Sequence, residues 1–317
     1  MILSIDIGGT AVKMGLVDRE GTIHARHEAS VCYDNYQTPI LTTVIREAKD
    51  FLARENAAIE GIGVSATGQV DDRMGAVIGT NGKIPHYEGS QIKLEMEKTF
   101  GVPAFALNDA NAAALGECFA GRAKGAENML MITLGTGVGG GVILDGQVYA
   151  GFNFAGAELG HTVIEKDGRP CSCGRRGCWE AYSSATGLIA MTKEKVLYCR
   201  ENGIHTLMEK LICGDLSRIS GKTAFTAAKE GDKAGREVVD MYIDYLACGI
   251  ANMINIFQPQ VLSIGGGICH EGDYLLLPLK ERVFKEVYTR SREPATQIKI
   301  AQLGNDAGII GAASLGR

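Results

Sequence analysis

The chain has 317 residues, a length that predicts two domains with a cleft between them. Hydrophobic residues make up 45% of it and charged residues 22%, which is close to the ordinary globular mix and excludes a disordered or fibrous protein. The net charge of -5, without long charged runs, argues against nucleic acid or an anionic membrane as a partner, so a small neutral or anionic ligand is expected.

Glycine and cysteine are the unusual components. The 42 glycines are nearly twice the usual share of about 7% and cluster in loops after apolar runs, which suits close backbone approach to phosphate. The number of cysteines, nine, is odd, and most are scattered singly, which argues against a disulfide framework. The chain opens on a strand-like run at residues 2–7 and has no apolar stretch of membrane-spanning length, so we predict a cytoplasmic protein.

Two segments of the chain share a pattern of strand, glycine turn and strand. They lie at residues 2–17 and 129–144, and each is followed by a turn signal and another short apolar run. The pattern therefore predicts a three-stranded opening that occurs twice. Further apolar patterns predict helices at 40–52 and 110–119 and strands at 61–66 and 104–107. A duplicated α/β unit is the simplest interpretation.

The later part of the chain is predicted to be rich in helix. Its clearest helix covers residues 235–257 and ends before Pro259. A strand at 261–264, the triple glycine, a strand at 298–301 and a terminal helix at 304–315 follow. We expect one domain of residues 1–118 with the terminal helix 303–317, and a second of residues 119–302.

The first glycine turn combines an acid with two glycines. Asp6 ends a predicted strand, and Gly8, Gly9 and Thr10 follow it. Backbone amides in such turns bind phosphate, and a nearby carboxylate can hold the accompanying magnesium ion. A tight hairpin with an incidental acid is the alternative interpretation.

The second turn, Gly135-Thr136-Gly137, has the spaced glycines of a dinucleotide fingerprint. That fingerprint requires a following helix, whereas residues 142–149 predict a hairpin. A P-loop at residues 221–223 is excluded as well, because Leu216 stands where the motif's first glycine belongs. The remaining interpretation is that the two strand-turn-strand loops hold one nucleotide triphosphate.

Asn108 and Asp109 lie between a predicted strand and a predicted helix. Asp is common there as an N-cap that satisfies free amide groups. Alternatively, Asp109 accepts the proton of a substrate hydroxyl as that hydroxyl attacks phosphorus. The motif alone leaves both interpretations open.

The sharpest local signal is a set of metal ligands. His161, Cys171, Cys173 and Cys178 make a complete tetrahedral set for zinc, and glycines among the cysteines allow the sulfurs to converge. Four protein ligands leave no open position, so we predict a structural zinc that braces the loop carrying Glu180. Incidental or reactive thiols are the alternative.

As a set, these residues resemble the ROK family of bacterial sugar kinases. The resemblance covers almost the whole chain and implies an actin-like ATPase fold, related to ribonuclease H, with two duplicated α/β domains. The motifs that carry it are Asp6 to Thr10, Asn108-Asp109, Leu134 to Gly141, Glu158 to His161, Cys171 to Glu180, Gly265 to Gly267 and Asn305 to Gly308.

The resemblance implies an ATP-dependent hexose kinase with Mg²⁺ and structural Zn²⁺, in which Asp109 is the catalytic base. It also implies that His161 holds zinc with one ring nitrogen and can donate toward the sugar with the other. The expected nucleotide-binding residues are Asp6, Gly8, Gly9, Thr10, Lys13, Thr133, Gly135, Thr136, Gly137, Gly265, Gly266 and Gly267. The expected sugar-binding residues are Gly68, Asn81, Asn108, Asp109, Glu158, His161 and Glu180.

The sugar itself stays open between glucose and N-acetylmannosamine. Family glucokinases carry an Asn-Leu-x-x-Trp segment where this chain reads Asn81-Gly-Lys-Ile-Pro-His-Tyr-Glu-Gly89, and Thr67 replaces a common proline before Gly68. The spacing of Ile84, Tyr87 and Gly89 resembles that of some N-acetylmannosamine kinases. The expected acceptor is O6, and a homodimer is expected.

Two other functions were weighed. The family includes sugar-responsive repressors that place a helix-turn-helix domain ahead of the kinase-like fold, whereas here the phosphate strand begins at residue 2. A regulator without that domain is therefore the main alternative to an enzyme. A nicotinamide oxidoreductase is the third hypothesis, and it would require cofactor binding to the free protein.

Overall fold

Two five-stranded β-sheets form the framework of the computed structural model, which describes residues 1–80, 84–290 and 292–316. The strands are β1 (Ile2–Ile7), β2 (Ala11–Val17), β3 (Ile23–Ser30), β4 (Gly61–Ala66), β5 (Gln69–Asp71), β6 (Ala76–Gly79), β7 (Ala104–Asn108), β8 (Met129–Leu134), β9 (Val138–Leu144), β10 (Gln147–Val148), β11 (Val261–Gly265) and β12 (Gln297–Ile300).

Ten α-helices, counted within the described residues, accompany the strands. They are α1 (Ile40–Glu55), α2 (Ile92–Phe100), α3 (Asp109–Ala120), α4 (Glu180–Ser183), α5 (Ala185–Glu201), α6 (Leu207–Leu211), α7 (Thr223–Lys229), α8 (Lys233–Phe257), α9 (Asp273–Glu286) and α10 (Ala307–Leu315). In the part of the chain that the structure describes, no helix is both long and apolar enough to cross a membrane.

The chain divides into two compact units. The first comprises Met1–Met131, Gly141–Ala157 and the segment from Ala301 onward, and the second comprises Ile132–Gly140 and Glu158–Ile300. The expected domains, 1–118 with 303–317 and 119–302, stay a prediction. Like the expected domain of residues 1–118 with 303–317, the first unit includes the C-terminal segment. It differs from that domain in also containing residues 119–131 and 141–157.

The first sheet has the order β3-β2-β1-β4-β7. β1, β2 and β3 are antiparallel neighbours, whereas β1, β4 and β7 run parallel. Strands β1 and β4 are almost entirely buried, as expected of parallel strands inside a sheet. By contrast β3 alternates between half-buried and exposed residues, as expected of an edge strand.

The two faces of β1 show the period of two that a strand requires. Leu3, Ile5 and Ile7 join the core that includes the buried residues of α1. Ile2 packs on the other face with Ile309 of α10, so Asp6 of β1 belongs to the same face as this C-terminal helix. The site strand therefore lies between α1 and α10.

Small residues allow α10 to approach α3 closely. A β-carbon on Gly311 would overlap the carbonyl oxygen of Ala112, so glycine is required there. The fully buried Glu117 of α3 then accepts hydrogen bonds from the backbone N–H groups of Arg122 at 2.9 Å and of Gln302 and Leu303 at 2.8 Å each. These bonds fix the chain just before α10.

The second sheet repeats the first in strand order, β10-β9-β8-β11-β12. The central strand of each sheet, β1 or β8, leads into a glycine turn. The three-stranded opening predicted at both places in the chain is therefore confirmed. Most of the other predicted elements also agree within a few residues. The helix predicted at 235–257 is α8, whose N-cap Asp232 accepts a hydrogen bond from the Gly235 N–H at 2.6 Å.

Candidate functional site

One backbone bond within the hairpin and one side-chain bond from outside it hold the first glycine turn. The Gly8 N–H donates to the Ala11 carbonyl at 2.9 Å, and the Tyr36 hydroxyl donates to the Gly9 carbonyl at 2.7 Å. Gly8 and Gly9 are half-buried and Thr10 is exposed. The turn therefore presents backbone at the end of β1, as phosphate binding requires.

Asp6 lies at this strand end in a largely buried position. Its Oδ1 accepts a 2.6 Å hydrogen bond from the Ser65 hydroxyl of β4 and lies against Gly308, where a β-carbon would be 3.1 Å away. Burial raises the pKa of Asp6, while the Ser65 bond and the charge of Lys13 oppose that rise. Lys13 stands directly across from Asp6 in the β1–β2 pair. A cation at this carboxylate would favour its ionised form further.

The start of α3 separates the two interpretations of Asn108 and Asp109. Asn108 is the N-cap: its Oδ1 accepts from the N–H groups of Ala110 at 3.0 Å and Asn111 at 3.3 Å. Asp109 is the first helical residue, is exposed, and accepts from Asn108 Nδ2 at 3.0 Å. The cap thus belongs to Asn108, and the interpretation of Asp109 as the N-cap is wrong.

Asn108 also fixes the predicted sugar-binding glycine. Its Nδ2 donates to the Gly68 carbonyl at 2.8 Å, which ties the end of β7 to the loop after β4. Gly68 has a φ of 93°, and a β-carbon there would lie 2.6 Å from the Gly79 carbonyl oxygen. Glycine is therefore needed at this position. Asn81, also expected to bind sugar, lies outside the described residues.

Tyr87 stands out in the sequence only as part of the spacing of Ile84, Tyr87 and Gly89. Its side chain is fully buried, and its hydroxyl has no hydrogen-bond partner among the described residues. Burial raises the pKa of Tyr87, and the charges of Asp109 and Asp6 add to the rise. Buried polar groups normally have a hydrogen-bond partner, so a water molecule or a ligand group is expected at this hydroxyl.

The second glycine turn is held mainly by residues from outside its hairpin. Within the turn the Gly135 N–H donates to the Gly137 carbonyl at 3.0 Å. From α5, the Ala185 N–H donates to the Gly135 carbonyl at 2.8 Å and the Thr186 hydroxyl donates to the Thr136 carbonyl at 2.8 Å. Strand β9 follows directly, so the exclusion of a dinucleotide fingerprint is confirmed.

Glu180 joins this turn from the start of α4. Its Oε2 accepts from the Val138 N–H at 3.0 Å, and its Oε1 accepts from the Ser172 hydroxyl at 3.1 Å. Glu158 is exposed immediately before the 3₁₀ turn Leu159–His161, and its carbonyl accepts from the His161 N–H at 3.1 Å. The second unit therefore contains three of the residues expected to bind sugar.

The other residues of the second unit that are expected to bind nucleotide lie at or near strand ends. Thr133 is half-buried near the end of β8. Gly265 ends β11 in a buried position, whereas Gly266 and Gly267 are exposed. Among the described residues no atom would meet a β-carbon on Gly267 within 4 Å, so its backbone is accessible to a ligand.

The four predicted metal ligands converge. The ligand atoms of His161, Cys171, Cys173 and Cys178 all lie within 4.8 Å of one another. Cys173 and Cys178 Sγ are 3.7 Å apart, and Cys171 Sγ is 3.6 Å from His161 Nδ1. A tetrahedral zinc with Zn–S bonds of about 2.3 Å separates two sulfurs by about 3.8 Å, so this donor set fits zinc.

The metal loop also distinguishes the two ring nitrogens of His161 and determines the surroundings of the buried Cys178 thiol. Because Nδ1 of His161 faces the sulfurs, Nε2 is the nitrogen that can carry a proton for another partner. Gly174 and Gly177 have φ values of 87° and 77°, which turn the chain as the sequence predicted. Burial and the neighbouring cysteines raise the pKa of Cys178 to about 12, so this sulfur needs a cation to remain a thiolate.

The architecture defines a class of protein. Two sheets with the same strand order, each opened by three strands around a glycine turn, give an α/β protein with the actin-like ATPase fold in two domains. The predicted fold class is therefore confirmed.

Comparisons with known proteins identify the family. The ROK family model matches residues 2–317, and the chain belongs to the ROK family. A glucokinase of Halalkalibacterium halodurans is 36% identical, with 98% of this chain and 92% of that protein covered. The Bacillus subtilis xylose repressor is 27% identical, with 99% of this chain and 76% of that protein covered.

Solved structures of the family are similar over the whole chain. A ROK glucokinase from Streptomyces griseus, in complex with glucose and AMPPNP, has a TM-score of 0.79 and 32% identity, with 100% of this chain and 99% of that chain covered. A putative N-acetylmannosamine kinase from Listeria monocytogenes has a TM-score of 0.77 and 28% identity, with 98% and 97% covered. Both sugars considered from the sequence are thus represented among similar proteins.

Proposed function

We propose that this chain is an ATP-dependent hexose kinase that transfers the γ-phosphoryl group of ATP to a sugar hydroxyl, O6, of glucose or N-acetylmannosamine. The observation that carries the proposal is the exposed carboxylate of Asp109 at the start of α3, where Asn108 makes the cap. The similarity to glucokinases at up to 36% identity supports the same reaction class.

Asp109 acts as the general base. Its carboxylate accepts the proton of the sugar hydroxyl as that oxygen forms a bond to the γ-phosphorus and the bond to the ADP oxygen breaks. Asn108 orients this carboxylate through the 3.0 Å bond from Nδ2 to Oδ1. Because phosphoryl transfer demands little covalent help from the protein, positioning and charge stabilisation provide most of the acceleration.

Backbone at the two glycine turns binds the phosphates. Gly8, Gly9 and Thr10 form the first of these turns, and Gly135, Thr136 and Gly137 form the second. Asp6 would hold Mg²⁺, which neutralises phosphate charge when bound. Lys13 adds a positive charge beside Asp6, and Thr133 lies near the end of β8. Gly265 to Gly267 border the adenosine.

The sugar contacts are Asn108, the Gly68 backbone, Glu158, His161 and Glu180. Asn81 completes this proposed set. His161 contributes its Nε2, since Nδ1 faces the cysteines that would bind zinc with it. The zinc is structural, because four protein ligands leave it no open position.

Substrate identity is decided by a panel of sugars in an ADP-release assay. A site that reads hydroxyl groups rejects an analogue lacking one by about 10⁴ or more in specificity constant, so the rank order identifies the sugar. A leading constant for glucose or N-acetylmannosamine supports the proposal. Absence of ADP release with every hexose, while ATP and sugar both bind, contradicts it.

Tyr87 offers a sharper test of the sugar assignment. Its buried hydroxyl has no hydrogen-bond partner among the described residues, the charge of Asp109 raises its pKa, and we take a polar substrate group to be its partner. In Tyr87→Phe we expect the ranking of glucose against N-acetylmannosamine to change while the affinity for nucleotide alone does not. Equal losses for all sugars would remove Tyr87 from sugar selection and leave the kinase proposal intact.

A sugar-responsive regulator is the second candidate, because the xylose repressor matches over 99% of this chain. Sugar binding without ATP turnover, together with no loss of function in Asp109→Asn, would favour the regulator. The cytoplasmic location and the homodimer remain predictions.

A further inference from the structure

Glu180 contacts the second glycine turn at its most crowded point. Its Oε2 accepts from the Val138 N–H at 3.0 Å, directly after Gly137. A β-carbon on Gly137 would overlap this same oxygen, so the carboxylate lies against the turn backbone. The position of Glu180 therefore sets the position of the amide groups that follow the turn.

The other oxygen of Glu180 contacts the metal loop. Oε1 accepts from the Ser172 hydroxyl at 3.1 Å and lies 3.8 Å from Cys171 Sγ. Ser172 stands between two of the metal ligands, Cys171 and Cys173. The carboxylate thus bridges the metal loop and the glycine turn, with one oxygen on each.

The backbone of Glu180 is fixed by the same loop. The ligand Cys178 precedes it by two residues, and the intervening Trp179 is fully buried. Trp179 Nε1 donates to the Tyr245 carbonyl at 3.2 Å, and the indole packs so closely on Gly249 of α8 that a β-carbon there would overlap it. Little freedom remains for Glu180 when the loop is closed.

We infer that Glu180 is a positioning residue that couples the His161-Cys171-Cys173-Cys178 loop to the Gly135–Gly137 turn, so that metal in the loop strengthens nucleotide binding. The inference rests on the proposed function, because it takes the turn to bind phosphate. A carboxylate has about four acceptor sites, so the two bonds leave room for the proposed sugar contact.

The test measures the affinity for MgADP by calorimetry without sugar, with zinc content determined on the same samples. In the wild type, removing zinc with a chelator should weaken MgADP binding about tenfold, within the usual range for coupled sites. In Glu180→Ala, bound zinc should stay near one per chain, while chelation should change MgADP affinity by less than about twofold. An equal effect of chelation in both proteins would overturn the inference.

Two further variants keep the test informative if chelation unfolds the protein. Ser172→Ala retains all four ligands and Glu180 but loses the hydroxyl bond, and it should weaken MgADP binding about threefold with zinc still near one per chain. Thr186→Val is the matched control, because the Thr186 hydroxyl holds the turn from α5 through its bond to the Thr136 carbonyl. It should weaken MgADP binding while the dependence on zinc persists.

The outcomes separate this inference from the proposed function. Unchanged MgADP affinity in Ser172→Ala, with zinc retained, would overturn the coupling and leave a kinase. Failure of the zinc-loaded wild type to bind any adenine nucleotide would instead overturn the proposed function.

Discussion

The two glycine turns have similar sequences but are supported differently. The first, Gly8–Thr10, is held by the Gly8–Ala11 backbone bond and by the Tyr36 hydroxyl, and its acid, Asp6, lies in the strand that leads into it. The second, Gly135–Gly137, has the neutral Thr133 at the position matching Asp6, and its acid, Glu180, arrives from a segment 42 residues beyond Val138. The repeated sequence pattern thus forms a glycine turn twice, but the acid beside the turn comes from a different part of the chain in each case.

This difference indicates how duplicated units diverge in function. An acid inside the strand can face a metal ion on a phosphate, whereas an acid brought in by a metal loop can position backbone. Neither turn contains the proposed proton acceptor, which lies at the start of α3 in the first unit. The comparison therefore predicts distinct phenotypes for the three acids.

The largest expected effect comes from outside both turns. In Asp109→Asn, turnover should fall by about 10²–10⁴ because the amide cannot accept the sugar proton. Asn108 still caps the helix, so thermal stability and nucleotide affinity should stay near the wild-type values. A pure, folded variant that keeps more than about a tenth of wild-type turnover would show that Asp109 is not the base.

The next effect compares the residues that occupy matching positions in the two strands. Asp6→Ala should lower kcat/KM for Mg-ATP by about tenfold or more and change sugar affinity less, because it removes a metal-facing charge. Thr133→Ala, the matched control, should change magnesium dependence very little. Steady-state kinetics at varied magnesium measures both, and unchanged magnesium dependence in Asp6→Ala would contradict its assignment.

A smaller effect concerns crowding at the second turn. Gly137→Ala should cost about 1–3 kcal/mol of stability, because its β-carbon would overlap Glu180 Oε2. Gly135→Ala meets no protein atom within 4 Å and should leave the melting temperature nearly unchanged. Thermal denaturation of the two variants side by side gives the answer. Equal melting temperatures would mean that Glu180 does not press on the turn.

The smallest effect is a shift in pH dependence. The Ser65 hydroxyl lowers the pKa of Asp6, so Ser65→Ala should raise that pKa. Because the ionised carboxylate is the competent form, the acid limb of kcat/KM for Mg-ATP should move to higher pH by about one unit. Ser314→Ala, a serine whose hydroxyl bonds within α10, serves as the control. An acid limb that moves to lower pH would contradict the role of ionised Asp6.

Much of the framework follows from local patterns. The strand predicted at 61–66 is β4 with the same bounds, and the helix predicted at 40–52 continues to residue 55 in α1. The metal ligands are equally local, since a run of three cysteines in eight residues needs only a nearby histidine. These signals depend on hydrophobic periodicity and ligand chemistry, both of which are visible in the sequence.

The contacts that support the site are not visible there. The partners of Glu117 in residues 302 and 303, and of Glu180 in Val138, lie far away along the chain, and no spacing rule connects them. The assignment of the cap between Asn108 and Asp109 also required the backbone, because either side chain suits an N-cap. Tyr87 could be noticed from its spacing, but its lack of a partner depends on burial.

The use of α10 in the first unit has a consequence for synthesis of the protein. The ribosome produces the segments at 1–131 and 141–157 early, yet the helix that covers the Asp6 face of β1 emerges only after residue 301. Most of the second unit, Glu158–Ile300, is continuous and is complete before that helix exists. Contacts between segments that are far apart in the sequence form slowly, and domains generally fold as units. Folding during translation should therefore finish the second unit first. Until α10 has been synthesised, the face of β1 that carries Asp6 should stay uncovered.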